Sequence, residues 1–199
     1  MADRDFQLSF ISFHNLTLLL HMQWQMFRDL YFDLSNQEIF DKSAPIFFNH
    51  LNDHLLDLLF LSISRFFDPA TQNGYRNVSI EHILSYKEIS GISDTLEDIV
   101  RDPRLKWEKG IRVWRHKRLS HSDLESYIDR ERIPSIPISD VQEIVEAICS
   151  FSKAIHRHLD QKDMKYEVYI SHWVPDLIRY LRRGIDSTGG AQQDATDNF

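Results

Sequence analysis

The stretch Arg115-His116-Lys117-Arg118-Leu119-Ser120-His121-Ser122-Asp123 sets fixed cations beside imidazoles. Arginine offers phosphate oxygens a planar fork and stays charged at any relevant pH. Histidine titrates near neutrality and moves protons. These groups suit metal-free cleavage of RNA. One base takes the proton of a 2′-OH, one acid protonates the leaving 5′ oxygen, and a cation stabilises charge on the phosphate. One chain offers one such arrangement, and the reaction wants both a base and an acid. A two-fold dimer would bring two copies together. On an ideal helix six residues turn about 600°, or about 240° net, so Arg115 and His121 do not share a face. They converge only where the helix ends or bends near Leu119 to Ser120, or where a partner chain completes the site. The same residues also read as the basic end of a surface helix, with His121 capping carbonyls.

Other chemistry is thinner. His50 and His54 stand at i and i+4, a spacing that can bind zinc. The run is His-Leu-Asn-Asp-His, with no glutamate in the metalloprotease position and no cysteine nearby, so neither metal nor cofactor is expected. His14, His21, His82, His156, His158 and His172 read as structural or solvated. Cys149 is the sole cysteine, which excludes an intrachain disulfide and a zinc ribbon. On an apolar helix it reads as inert core. Trp107, Trp114 and Trp173 could stack unpaired bases, but packing is the more ordinary use. Arg65 and Asp68 are three apart, which suggests an ion pair closing a helix end. The functional alternative has Arg65 reaching an RNA backbone.

The elements that must position these residues read as helices. Only 6 glycines and 6 prolines punctuate 199 residues, and no glycine-rich phosphate loop exists. Residues 6–33 read as one long helix or a broken pair. Ser43 or Ala44 opens the next run, with Pro45 in its first turn. Phe48, Leu51, Leu55, Leu58 and Ser62 share a face, widened by Leu59, Ile63 and Phe66, and Asp68-Pro69 ends it. Asn73-Gly74 makes the turn of a loop over 69–78. Ser79 caps a short helix. Asp94 to Glu97 is a box-like helix start, and Pro103 marks a break or restart capped by Asp102. The helix from about Pro103 bears the basic stretch. Residues 130–138 are a linker, because Pro134 and Pro137 cannot both continue a helix. Val141, Ile144, Ile148, Phe151, Ile155 and Leu159 then repeat by three and four. A last helix spans about 175–183. The polar, glycine-bearing tail from Gly184 reads as disordered. The expectation is a single all-α bundle over 1–183 and a flexible tail over 184–199.

The net charge of −7 excludes a broad nucleic-acid-coating surface, but its distribution is uneven. From Arg101 to Arg118, eight basic residues face only Asp102 and Glu108. That segment is +6, so the rest of the chain carries −13. An acidic protein with one basic segment suggests a localised anion site. The plain alternative is a solvated helix face. No signal peptide or membrane span is evident, so a cytoplasmic soluble protein is expected.

Arg115 to His121, with a polar residue straight after the arginine, resembles the R-x(4–6)-H signature of HEPN domains. Upstream, Leu61-Ser62-Ile63-Ser64-Arg65-Phe66-Phe67-Asp68-Pro69 resembles the "RLFDP"-like helix end of the abortive-infection AbiU-type branch. In that branch an "RNKxxAHxD"-like motif follows in the same order. The resemblance spans roughly residues 27–159. It implies a helical bundle that dimerises with its motifs facing, and a metal-independent endoribonuclease acting as a toxin or phage-defence effector. Carried across, Arg115 is the phosphate clamp, His121 the base or acid, and His116 the supporting polar residue in place of the commoner Asn or Asp. Arg112, Lys117, Arg118 and Asp123 complete the substrate-binding candidates, with Asp123 orienting His121 or Arg115. In HEPN toxins silenced by a nucleotidyltransferase antitoxin, a tyrosine follows the motif histidine by two. Here that position is Asp123, and Tyr127 lies one helical turn further on. An antitoxin or other regulatory partner is therefore expected to act differently, if one exists. The rival expectation is a catalytically silent HEPN module binding RNA, a nucleotide or a partner protein. A third is a helical scaffold with no affinity for nucleic acid.

Overall fold

The computed structural model describes residues 4–120, 134–159 and 172–196, with side chains except those of 118–120 and 188–196. Among the described residues the protein is a helical bundle with one two-stranded hairpin. The helices are α1 (Arg4–Tyr31), α2 (Leu34–Ser43), α3 (Pro45–Phe67), α4 (Ile80–Leu84), α5 (Ser93–Lys109), α6 (Ile111–Trp114), α7 (Ile138–His158) and α8 (Trp173–Thr196). A 3-10 turn covers Lys87–Ile92, and a π-turn covers Arg115–Ser120. No described helix is long and apolar enough to cross a membrane.

The chain divides into two compact bodies. One comprises Met1–His21 with Asp57–Tyr166, the other Met22–Leu56 with Glu167–Phe199. In the first, the strict three-four repeat of α7 buries Val141, Ile144, Ile148, Phe151 and Ile155. Phe13 joins Phe151 to Phe66 through ring contacts of 5.4 and 5.1 Å. Lys106 ties α5 to α7 through Asp140 at 2.9 Å and Glu143 at 2.6 Å. In the second, Phe40 stacks on Phe48 at 3.9 Å. The Asn36 amide donates to the carbonyls of Asp29 and Leu30, satisfying the open end of α1.

Several expectations change. Leu58 is 41% exposed, so the buried stripe of α3 runs through Phe48, Leu55, Leu59, Ile63 and Phe66 instead. A separate α2 precedes it, opened by Asp33 accepting from the Ser35 amide. No side-chain cap opens α5, so the box at Asp94 does not form. Helix α5 also runs through Pro103 without a break. One lost backbone bond is outweighed there by burial of Pro103, Leu96, Val100 and Trp107. The break falls at Gly110, where an added Cβ would meet Ile136 Cγ1 at 3.1 Å. The last helix, read as about 175–183, has the bounds Trp173–Thr196. Its residues from Arg182 to Ser187 are mostly exposed, so this stretch adds little packing.

The Asn73-Gly74 turn closes a hairpin in which Thr71 pairs with Arg76 and Gln72 with Tyr75. Both turn residues have positive φ, 52° and 82°, as a two-residue hairpin of native twist requires. Arg76 in turn grips Asp5 of α1 at 2.7 and 3.1 Å. Tyr86 donates to the same carboxylate at 2.6 Å. Together they hold the Asp5 carboxyl down at about 2, with the Arg76 bond the main cause.

Candidate functional site

The two motifs read from the sequence meet in the structure. Arg115 Nη1 donates to Asp68 Oδ1 at 2.7 Å, across 47 residues of chain. Both side chains are largely covered, 30% and 20% exposed. Asp68 sits where α3 ends, forced there by Pro69. Arg115 begins the π-turn. The single turn of α6 before it is pinned by fully buried Ile111 and by Trp114, which meets Phe60 edge-on at 5.5 Å and donates to Asp57 at 3.3 Å. The expected pair between Arg65 and Asp68 is therefore corrected. Asp68 faces Arg115, while Arg65 is exposed and makes no ion pair among the described residues.

The pair lines a cleft of about 670 Å³ with Arg104, Trp107, Arg112 and His116 among its walls. Gln72 of the hairpin and Glu81 and Glu108 complete much of the rim. Phe67 stacks on Trp107 at 5.0 Å and 23°. Trp107 is 7% exposed and fixed by its indole N–H to Ser64 Oγ at 3.2 Å. The Arg104 guanidinium lies over Phe67 at 6.0 Å and that of Arg112 over Trp107 at 5.8 Å. Trp107 is thus a packed platform for arginine rather than an open surface for bases.

The site candidates sort as follows. Arg115, Arg112 and His116 share the cleft, and His116 is exposed there. Lys117 is half-buried and does not line it. The backbone of Arg118 lies in the π-turn. His121 and Asp123 lie outside the described residues. The helix departs from α geometry right at Arg115, and π-turns of this kind are frequent at functional sites. The widened winding covers Arg115 to Ser120, and whether Arg115 and His121 converge lies outside the described residues. Two residues of the cleft were not among the site candidates. Asp68 carried a signal, since it belongs to the upstream motif. Arg104 carried only its place in the basic segment, since its position over Phe67 depends on tertiary packing.

Elsewhere the ordinary uses prevail. His14 and His156 face each other at 3.1 Å, and burial together with its neighbour lowers the His14 pKa. Burial pushes the Cys149 thiol up to about 12, an inert core group. His50 and His54 are exposed, with ring centroids 6.4 Å apart.

The profile of the HEPN_AbiU2 family (AbiU2) matches residues 4–181. The chain belongs to this family. The AbiU2 match is wider than the stretch between the two motifs and takes in both compact bodies. It makes the protein an abortive-infection HEPN domain. No curated protein and no solved structure matches the chain.

Proposed function

We propose that this AbiU2 domain is a metal-independent endoribonuclease of antiphage defence. The observation that carries the reading is the Arg115–Asp68 pair, which joins the two family motifs inside one open cleft. Only one donor of the guanidinium is engaged by Asp68. The remaining in-plane N–H groups stay available to a phosphate. Asp68 holds Arg115 in place, Arg115 clamps the scissile phosphate, and His121 acts as base or acid. His116, exposed on the same cleft, supports them. A second copy of the chain, related by a two-fold axis, supplies the other proton carrier. The 2′-OH attacks the adjacent phosphorus, the P–O5′ bond breaks, and the products carry a 2′,3′-cyclic phosphate and a 5′-OH. The proton removed from the 2′-OH goes to the base, and the acid delivers one to the leaving 5′ oxygen.

The test is cleavage of RNA by purified protein in excess EDTA, wild type beside His121→Ala, with product ends identified. Cleavage by wild type alone, leaving cyclic phosphate ends, is the expected result. Full activity of His121→Ala, or cleavage of 2′-O-methyl RNA, overturns the mechanism. Binding of RNA without cleavage by either protein would instead support the silent-module reading.

A further inference from the structure

The basic segment from Arg101 to Arg118 does not behave as one charged face. Arg101 pairs with Asp98, Lys106 with Asp140 and Glu143, and Arg115 with Asp68. Arg104 and Arg112 make no ion pair among the described residues. Their contacts are with the faces of Phe67 and Trp107. The distinction is chemical. An ion pair occupies the N–H donors at the edge of a guanidinium. A cation over a ring face is held by the ring's charge distribution and engages no carboxylate, so its N–H donors are not spent on an ion pair. Phe67 and Trp107 also stack on each other, and Trp107 is locked through Ser64, so the guanidiniums rest on a rigid support. Both line the cleft that holds Arg115.

We propose that Arg104 and Arg112, held on the Phe67–Trp107 stack, form a phosphate-binding subsite for the strand that flanks the bond at Arg115. The ligand class is single-stranded RNA, gripped by its backbone. Three guanidiniums on one cleft suit a repeating anion better than a single one. The cleft's formal charges balance, because Asp68, Glu81 and Glu108 oppose the three arginines. Attraction at a distance is therefore weak, and the strand is held by directed hydrogen bonds at contact. The inference rests on the ribonuclease reading for its ligand, but its readout is binding, which does not require turnover.

The experiment measures affinity for a 2′-O-methyl RNA oligonucleotide across a salt series, using the full chain. The double variant Arg104→Gln/Arg112→Gln is compared with wild type and with Lys109→Gln, which removes one charge outside the cleft. The magnitude of the log–log salt slope is expected to fall by about 1.4 in the double variant, at about 0.7 per lost single-strand contact. Lys109→Gln should leave it near the wild-type value. In cleavage assays the double variant should raise KM and keep kcat. Arg104→Lys/Arg112→Lys retains charge without the planar fork of donors and is expected to bind between wild type and the Gln double variant. An unchanged slope in the double variant overturns the subsite, and so does a per-charge loss in Lys109→Gln equal to that of the arginines. A normal slope loss with no cleavage by any protein leaves the subsite standing and removes the ribonuclease reading.

Discussion

Two regions of this molecule gather arginines around a cavity, and they use them differently. In the body holding α2 and α8, a pocket of about 510 Å³ is lined by Arg179, Arg182, Arg183, Asp29, Asp33 and Asp186 among others. Arg179 is paired with Asp176 at 2.7 Å, and its ring neighbour, Tyr180, is 63% exposed. The Asp33 carboxyl is held below its usual value first by the Ser35 backbone amide, with Arg182 adding attraction. Lys42 pairs with Glu38 and is drawn also by Asp186. The Arg179–Asp176 and Lys42–Glu38 pairs each lie within one helix, and Arg182 and Asp186 reach Asp33 and Lys42 by charge attraction alone. In the cleft at the end of α3, two of three arginines lie over the rings of half-buried Phe67 and buried Trp107 and make no ion pair among the described residues. A count of arginines does not distinguish the two cavities. What each guanidinium already touches does.

The comparison can be broken at its support. Trp107→Ala should cost about 3–5 kcal/mol of stability in thermal or denaturant unfolding, through the lost core volume and the hydrogen bond to Ser64. Tyr180→Ala, at the exposed ring under Arg179, should stay within about 0.5 kcal/mol of wild type. Equal losses would mean that the two platforms are alike.

It can be sharpened at the clamp. Arg115→Ala should lower the rate of RNA cleavage by about 10²–10³-fold, as loss of a preorganised donor to a reacting oxyanion does. Arg179→Ala should cleave at the wild-type rate. Next in size is Asp68→Asn, which keeps the shape and removes the charge facing Arg115. A fall of about tenfold in kcat with KM little changed is expected, since removing one member of a hydrogen-bonded charge pair costs roughly 1.4 kcal/mol or more. Asp68→Glu should recover part of it. Loss confined to the melting temperature would make Asp68 merely structural.

The smallest effects lie at the edges. The Asp5 carboxyl has a folded pKa of about 2, lowered chiefly by Arg76. A depressed carboxylate contributes stability above its unfolded pKa and loses it as pH falls through the folded value. Asp5→Asn should therefore melt below wild type at neutral pH, with the gap closing as pH drops from near 4 to near 2. A gap independent of pH would remove the Arg76 tie as its cause. Cys149, with its thiol pushed up to about 12, should resist alkylation in the native protein and react once it is unfolded.

Much of the fold was legible in the residues. The α7 face follows a strict repeat, and every member from Val141 to Ile155 is buried as the period demands. Pro45 and Pro69 bound α3 for reasons local to the backbone. Local reasoning failed where tertiary contacts decide. Pro103 stays inside a helix because its surroundings are buried, and Leu58 points outward although its spacing matches the core face. The site shows the same limit. Arg65 lies three residues from Asp68 and looked like its partner, yet the partner stands 47 residues away. The motif residues themselves were readable, because their types announce their chemistry. What held each of them was not.

The widened turn at Arg115–Ser120 has a consequence for how this stretch tolerates change. A π-turn is the form a helix takes when it absorbs one residue more than α geometry allows. The spacing between an arginine and a histidine on such a segment can lengthen by one without breaking the helix. Deleting a single residue between His116 and Ser120 would restore the tighter winding. The turn would then close with one residue fewer at about the same angle. The turn is a phase adjuster: it lets the stretch from Arg115 to Ser120 carry one residue more at an unchanged phase.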